Sequence, residues 1–200
     1  MMKNVKRPTV RSISRTPEGK DITMFLRYLL AQYVHNFTSY QGRLLKVEFK
    51  QRKKRSLVLY TLQAPTAPYD KGAKETLKIS KMLKKMIGKD ILNRKDIILC
   101  GDTNSYENHT INYFGKGKGQ KQSKIITTLV DLALVDIFRV LNLNAQEFTF
   151  RTAHMQSRLD QFWISTTLIK SILETGIGEH DQLLSDQSAI LLQIAWNYKR

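Results

Sequence analysis

Alternation of apolar and charged residues marks a hairpin in the first third of the chain. From Leu45 to Phe49 every second residue is apolar and the residues between are charged, and a second apolar run, 56–62, follows the basic segment 51–55. Such patterns are typical of strands that bury one face. We therefore predict an antiparallel hairpin over 42–62 with a basic tip, which is either a solvated turn or a contact for phosphate.

Helical spacing of apolar residues marks the elements that follow. It predicts a helix over 71–87 that Gly88 ends, and a second helix over 125–134. The dense apolar stretch 22–34 predicts a helix, or a strand that runs into a helix. Because the order from residue 56 to 100 is strand, loop, helix and strand, the pattern favours the α/β class.

The strand predicted over 96–100 is followed directly by Gly101, Asp102, Thr103 and Asn104. With a period of two, Asp102 and Asn104 point the same way, and the glycine lets the backbone turn or approach a neighbour closely. A strand that ends in an ordinary Asx-type turn explains these residues equally well. Further acids later in the chain favour a functional site over an ordinary turn at these residues.

Two later segments place acids beside apolar strands. The β-like pieces 147–151 and 158–165 put Asp160 on a strand, and a loop before the last apolar run carries Asp186 and Gln187. Each acid by itself is more often a turn or cap residue. Gathered carboxylates, however, hold a hard divalent cation or position a water. The ordered set therefore predicts one shared pocket that contains Asp102, Asp160 and Asp186.

The charge of the chain indicates a polyanion as partner. The formal net charge of +16 comes from 33 Lys and Arg against 17 Asp and Glu, and residues 1–55 hold 14 basic and 3 acidic side chains. DNA is the expected partner, with RNA as the alternative. We predict a disordered or loosely docked basic arm over 1–20 and one domain over 21–200.

A polar loop follows Asn104 and ends in the glycine- and lysine-rich segment 115–121. It lacks the Gly-Lys-Ser/Thr ending that a phosphate-cradling loop needs between a strand and a helix. We interpret it as a mobile basic loop that contacts nucleic acid through Lys116, Lys118 and Lys121.

The single cysteine and the lengths of the apolar runs indicate the cellular compartment of the protein. Cys100 is the single cysteine, so an internal disulfide is excluded and a reducing compartment is favoured. No apolar run approaches the roughly 18 residues that span a bilayer, and the basic start lacks the apolar core of a secretion signal. We expect an intracellular protein of the nucleus or cytoplasm, without membrane contact or a small-molecule cofactor, and leave its oligomeric state open.

Five short segments match the motifs of one known superfamily. At 98–104 an apolar strand precedes Gly-Asp-Thr-Asn, where that superfamily has Gly-Asp-Phe-Asn. Phe-Thr-Phe at 148–150 and Ser-Arg-Leu-Asp at 157–160 match its Tyr-Thr-Trp and Ser-Arg-Ile-Asp. Ser-Asp-Gln at 185–187 matches its Ser-Asp-His, and Gln-Ala-Pro-Thr at 63–66 matches its Tyr-Ala-Pro loop. Together these segments resemble the endonuclease/exonuclease/phosphatase superfamily, the DNase I-like metal-dependent phosphodiesterases.

Order and spacing agree from about Gly42 to Leu192, and the resemblance is closest to the endonuclease domains of LINE-type retrotransposons. It implies a four-layered α/β/β/α sandwich that is incomplete at its N-terminal side, with Mg²⁺ or Mn²⁺ as cofactor. In the family, the Asp that matches Asp102 orients the attacking water, and the Asn that matches Asn104 contacts the phosphate. The Asp that matches Asp186 adjoins the metal, and the Asp that matches Asp160 supports the catalytic His. Asp102 also lies near the metal, and we expect contacts to nucleic acid from Gln63 and Arg158.

Departures from the family pattern predict an impaired or inactive enzyme. The catalytic His is Gln187 here, and the Tyr of the Tyr-Ala-Pro loop is Gln63. A Gln amide donates a hydrogen bond but does not become a cation near neutral pH. The family's upstream Asn and metal-binding Glu have no counterpart before Gly42, since Glu18 lies in the basic arm. Two alternatives stay open: a non-catalytic nucleic-acid-binding remnant, and an unstable gene fragment without function.

Overall fold

A mixed β-sheet forms the centre of the molecule and carries the candidate site at one end. The computed structural model describes residues 9–12, 22–26, 28–50, 55–66, 70–115, 123–179 and 185–195. Within these ranges the strands are β1 (Thr9–Ser12), β2 (Ile22–Phe25), β3 (Val34–Tyr40), β4 (Leu44–Phe49), β5 (Leu57–Gln63), β6 (Asp96–Asp102), β7 (Tyr113–Gly115), β8 (Leu134–Asp136), β9 (Phe150–Arg151), β10 (Met155–Ser157), β11 (Asp160–Ser165), β12 (Ile172–Ile177) and β13 (Ile190–Ile194).

The helices are mostly short. They are α1 (Tyr28–Ala31), α2 (Asp70–Leu92), α3 (His109–Asn112), α4 (Lys124–Asp131) and α5 (Ile137–Leu141), and a 3₁₀ helix spans Thr166–Ser171. Among the described residues α2 and α4 are the helices longer than six residues.

The central sheet has the strand order β3-β4-β5-β6-β11-β8 within the described ranges. β5 and β6 pair in parallel, with α2 as the crossover between them, and the other neighbours pair antiparallel. The α/β class predicted from the strand, loop, helix and strand order is therefore confirmed. The predicted hairpin is confirmed as β4 and β5, while residues 51–54 of its tip lie outside the described residues.

One face of the central sheet packs against α2 and α4. The alternation of the strands sends one set of side chains to this face, where they form a buried core with the apolar stripe of each helix. Its largest members include Tyr60, Leu62, Ile79, Leu83, Ile87, Leu99 and Trp163.

The other face packs against two small antiparallel sheets, β1-β2 and β12-β13. Its buried core includes Leu45, Val47, Phe49, Ile98 and Ile164 from the central sheet. Helices, central sheet and small sheets thus form three of the four expected layers in the described part of the chain. An outer layer of long helices beyond the small sheets is not formed there.

Of the predicted basic arm, Thr9–Ser12 form β1 and pair with β2, while the rest lies outside the described residues. The predicted end of the long helix is wrong. Gly88 does not end α2, which continues to Leu92. A Cβ at position 88 would lie 3.9 Å from Leu132 Cδ2, so the glycine sits where α2 passes close to the end of α4.

Candidate functional site

Asp102 and Asp160 lie directly opposite each other at the end of the β6–β11 pair. Their Cα atoms are partners in the antiparallel register, so about 5 Å separates the two backbones at this point. Thr103 secures this end, because its N–H and its Oγ1 both donate to Leu159 O, at 2.9 Å. On the other side of β6, Gln63 is the parallel partner of Asp102, and its side chain is exposed.

The close approach of β5 and β6 at the site requires glycine at position 101. Gly101 has φ 127°, and a Cβ there would lie 2.0 Å from Leu62 O. Just beyond it, Ala64 N donates to Asp102 O at 2.7 Å. The glycine therefore fixes the position of Asp102 relative to the loop that follows β5, as its place in the sequence predicts.

Asn104 is held beside Asp102 by two short hydrogen bonds. Its backbone N–H donates to Asp102 Oδ1 at 2.7 Å, and its Nδ2 donates to Ala64 O at 2.6 Å. Its φ of 46° is a left-handed conformation that Asn tolerates better than most residues. The Asx-type turn of the ordinary interpretation is therefore present, and the same turn places the Asn side chain at the site.

Burial perturbs both acids. It raises the pKa of Asp102 to about 6, against the opposing hydrogen bond from Asn104 N–H, and the charge of Asp160 raises it further. Burial also raises the pKa of Asp160, against a hydrogen bond with the Thr149 side chain. Asp160 Oδ2 is buried without a hydrogen-bond partner among the described residues. Such an uncompensated oxygen is costly, and this is typical of functional sites more than of stable cores.

Thr149 joins Asp160 to the loop that carries the last predicted site residues. Leu159 N and Asp160 N both donate to Thr149 Oγ1 at 3.0 Å, and Ser188 N donates to Thr149 O at 2.7 Å. The sequence shows Thr149 only as the centre of the Phe-Thr-Phe segment. Its full burial and these contacts make it the link between the acids and the final loop.

The loop with Asp186 and Gln187 lies along β9. Phe150 forms an antiparallel bridge with Gln187, and Arg151 N donates to Asp186 O at 2.9 Å. The side chains of Asp186 and Gln187 are exposed. The structure thus brings Asp102 next to Asp160, its strand partner, and next to Asn104, while Asp186 and Gln187 lie on the loop that borders β9.

The three acids do not form a closed metal cage. No group of three or more His, Cys, Asp or Glu side chains in the described ranges is placed to hold a metal ion. Any cation at this site would depend on the Asp102–Asp160 pair, on the adjoining loop and on oxygen atoms from a bound phosphate.

The prediction that Arg158 contacts nucleic acid is wrong. Its side chain is 1% exposed and forms an ion pair with Asp136, and its Nε donates to Asn112 Oδ1 at 3.1 Å. The guanidinium also lies 5.2 Å from the centre of the Phe138 ring. A buried guanidinium needs such partners, so Arg158 stabilises the interior. Lys116, Lys118 and Lys121, the other predicted basic contacts, lie outside the described residues.

Comparison with solved structures identifies the fold. Among the similar structures is a 3′ phosphatase, NExo, from Neisseria, solved with a product DNA hairpin: TM-score 0.60, 13% identity, covering 78% of this chain and 66% of that one. The chain has the DNase I-like fold. It spans slightly less than two thirds of the NExo chain.

Sequence comparisons add no closer assignment for this DNase I-like chain. It matches no protein-family model, and no curated protein matches it in sequence.

In the described part of the chain, no helix has both the length and the apolar character needed to cross a membrane.

Proposed function

We propose that this DNase I-like chain binds nucleic acid and hydrolyses its phosphodiester bonds slowly with the help of a divalent cation. The observation that carries the proposal is the pairing of Asp102 with Asp160, with Asn104 held beside them. A chain of net charge +16 and a neighbour in fold solved with a DNA hairpin support nucleic acid as the substrate. The five motif segments support the narrower placement beside LINE-type retrotransposon endonucleases.

Each residue of the site has a separate role in the proposed reaction. Asp102 orients a water and accepts its proton as the water oxygen bonds to phosphorus. The bond from phosphorus to the leaving sugar oxygen breaks, and that oxygen takes a proton from solvent. Asn104 holds a phosphate oxygen, and the amide of Gln187 donates a hydrogen bond to another.

The donor set fits a hard cation such as Mg²⁺ or Mn²⁺. Carboxylate oxygens are the ligands that these ions prefer, and Mg²⁺ is often held by one or two carboxylates together with phosphate and water. Asp102 would hold it with Asp186, while the bound ion would supply positive charge to the phosphate.

Slow turnover follows from Gln187. A catalytic imidazolium would be held in place by Asp160 and would place a positive charge against the phosphate, whereas an amide stays neutral. Loss of a group of this kind typically costs ~10²–10⁴ in rate. Within the described part of the chain, Oδ2 of Asp160 is buried without a hydrogen-bond partner, which agrees with an acid whose usual partner is missing.

A nicking assay on supercoiled plasmid tests the proposal. We expect slow conversion to the open circle with Mg²⁺ or Mn²⁺, none with a chelator, and none for Asp102→Asn. Asp131→Asn removes the same charge from the exposed end of α4 and should nick like the parent protein. Nicking that survives both the chelator and Asp102→Asn would contradict the proposal.

The second candidate function is nucleic-acid binding without catalysis. It is favoured by Gln187 and by the lack of a three-ligand metal group in the described ranges. Two assays on the same preparation distinguish these functions. A protein that only binds DNA retains it at low salt, while every arm of the nicking assay stays at background.

A further inference from the structure

The structure contains an open cleft that the proposed reaction does not use. It has a volume of about 840 Å³ and is formed by α3, β7 and the turn between β9 and β10. Its walls include the rings of His109, Tyr113, Phe114 and His154. We call it the aromatic cleft.

Three aromatic rings at the aromatic cleft pack against one another at tilted angles. The ring centres of His109 and Tyr113 lie 4.8 Å apart, and Tyr106 packs against both, at 5.8 and 6.2 Å. Phe114 also lines the cleft and is 67% exposed. A single exposed Phe needs no explanation, but one in the wall of a cleft that contains further aromatic rings offers a flat apolar face to a ligand.

The aromatic cleft is fixed to the acidic site through the backbone. Tyr113 pairs with Ser157 and Gly115 pairs with Met155, so β7 and β10 hold the two walls together. Gly115 has φ 148°, and a Cβ there would lie 2.8 Å from His154 O, which shows how closely the walls approach. β10 leads directly into Asp160, and at about 3.3 Å per residue His154 lies within roughly 20 Å of that acid.

Chemistry and charge identify the kind of ligand. The described lining of the aromatic cleft carries no carboxylate, and its two His side chains offer hydrogen-bond donors and acceptors next to the rings. Flat rings that stack and form hydrogen bonds at their edges are the nucleobases, and aromatic platforms bind them in proteins that take single strands. The net charge of +16 favours the phosphate backbone that would accompany such a base.

We propose that the aromatic cleft stacks an unpaired nucleobase of the strand whose phosphate lies at Asp102 and Asp160. This rests on the proposed function, since it takes the substrate to be a nucleic acid. It adds that the chain recognises an unstacked base near the scissile phosphate through Phe114 and His154. Single-stranded or frayed DNA is then bound more tightly than its phosphate charge accounts for.

Equilibrium binding of two labelled oligonucleotides to the full chain tests this inference. One is a short single strand of thymidines, and the other has the same length and phosphates but abasic spacers instead of bases. Because base stacking on an aromatic residue is worth about fivefold or more in affinity, the parent protein should prefer the base-bearing strand. Phe114→Ala and His154→Ala should remove that preference and leave the affinity for the abasic strand unchanged.

Two control variants separate stacking from general effects. Phe114→Tyr retains an aromatic ring and should retain the preference. Phe37→Ala removes another exposed ring from β3, which belongs to the central sheet and not to the β7-β10-β9 sheet of the aromatic cleft, and should behave like the parent protein. Thermal melting of each variant verifies that the fold is intact.

The outcomes distinguish this inference from the proposed function. Equal affinity of the parent protein for both strands, or an equal loss for both in Phe114→Ala, overturns the stacking role even if Asp102-dependent nicking is observed. Failure to bind either strand at low salt overturns the nucleic-acid function and the inference with it.

Discussion

Gly101 and Asn104 both have positive φ angles, and both lie where the ends of β5 and β6 meet. The glycine lets β6 approach Leu62, and the Asn conformation turns its side chain back towards Ala64. The geometry of the site at the scale of single residues therefore depends on backbone conformations that few residues adopt. The glycine gives the sharper test of this dependence.

Gly101→Ala should destabilise the protein by about 2–4 kcal/mol. The new Cβ would meet Leu62 O at 2.0 Å, and a φ of 127° is unfavourable for alanine. Gly176→Ala in β12 is the matched control, because nothing lies within 4 Å of its Cβ, and it should change stability by less than about 0.5 kcal/mol. Urea unfolding of both variants measures the difference, and similar values for the two would contradict this account.

The sequence predicted which residues end the strands at the site but not the partners that bury them. Asp102 lies opposite Asp160 and is bonded to Asn104 because period and turn chemistry place these residues at strand ends. Arg158 was misassigned because its partner, Asp136, lies on another strand, and no local pattern links the two. Contacts of this kind depend on strand order in the sheet, which one sequence does not specify.

At the scale of elements, a charged network joins α2 to the central sheet. Asp90 on α2 is 1% exposed and interacts with Lys46 of β4, Tyr60 of β5 and Lys95. Burial raises the pKa of Asp90, but the hydrogen bonds from Lys46 and Tyr60 outweigh it, so the pKa is lowered overall. For Lys95, burial lowers the pKa, while Glu48 and Asp90 raise it above its usual value.

This network should make stability depend on pH at both extremes. Since the pKa of Asp90 is lowered on folding, its contribution is complete above the ordinary carboxyl pKa near 4 and is lost as pH falls through the lower folded value. The contribution of Lys95 is complete below about pH 10 and is lost as pH rises through its raised value. Asp90→Asn should lower stability near neutral pH by about 3 kcal/mol and weaken the acid dependence.

Unfolding by urea across this pH range measures both effects. Asp131→Asn, which changes an exposed carboxylate on α4, serves as the control and should retain the acid dependence of the parent protein. An acid dependence that is the same in Asp90→Asn and in the parent protein would contradict the assigned role of Asp90.

Long periodic elements were predictable and short or exposed ones were not. The alternation in β4 and β5 and the helical spacing in α2 locate these elements because each buries one face. β3 was missed because most of it is exposed, so its sequence carries no apolar alternation. β7, β9 and β10 contain two or three residues, which is too short for a period. The predicted end at Gly88 is wrong because a long helix tolerates a single glycine in its interior.

For the whole molecule, the net charge of +16 dominates any encounter with nucleic acid. Each phosphate that a Lys or Arg neutralises releases counterions, so affinity falls linearly with salt on logarithmic axes. We expect sequence-independent DNA binding that weakens at least tenfold between about 50 and 200 mM salt, which corresponds to about two or more phosphates. Fluorescence anisotropy over a salt series measures the slope, and a flat dependence would contradict an electrostatic interface.

The central claim is that Asp160 and position 187 belong to one hydrolytic site in which Gln187 limits the rate. The most direct measurement is the single-turnover nicking rate with Mg²⁺ for the parent protein, Gln187→His, and Gln187→His combined with Asp160→Asn. We predict that Gln187→His raises the rate by at least about tenfold, since a general acid–base group contributes ~10²–10⁴, and that Asp160→Asn removes this gain. An unchanged rate for Gln187→His, or a gain that persists without Asp160, would contradict the claim.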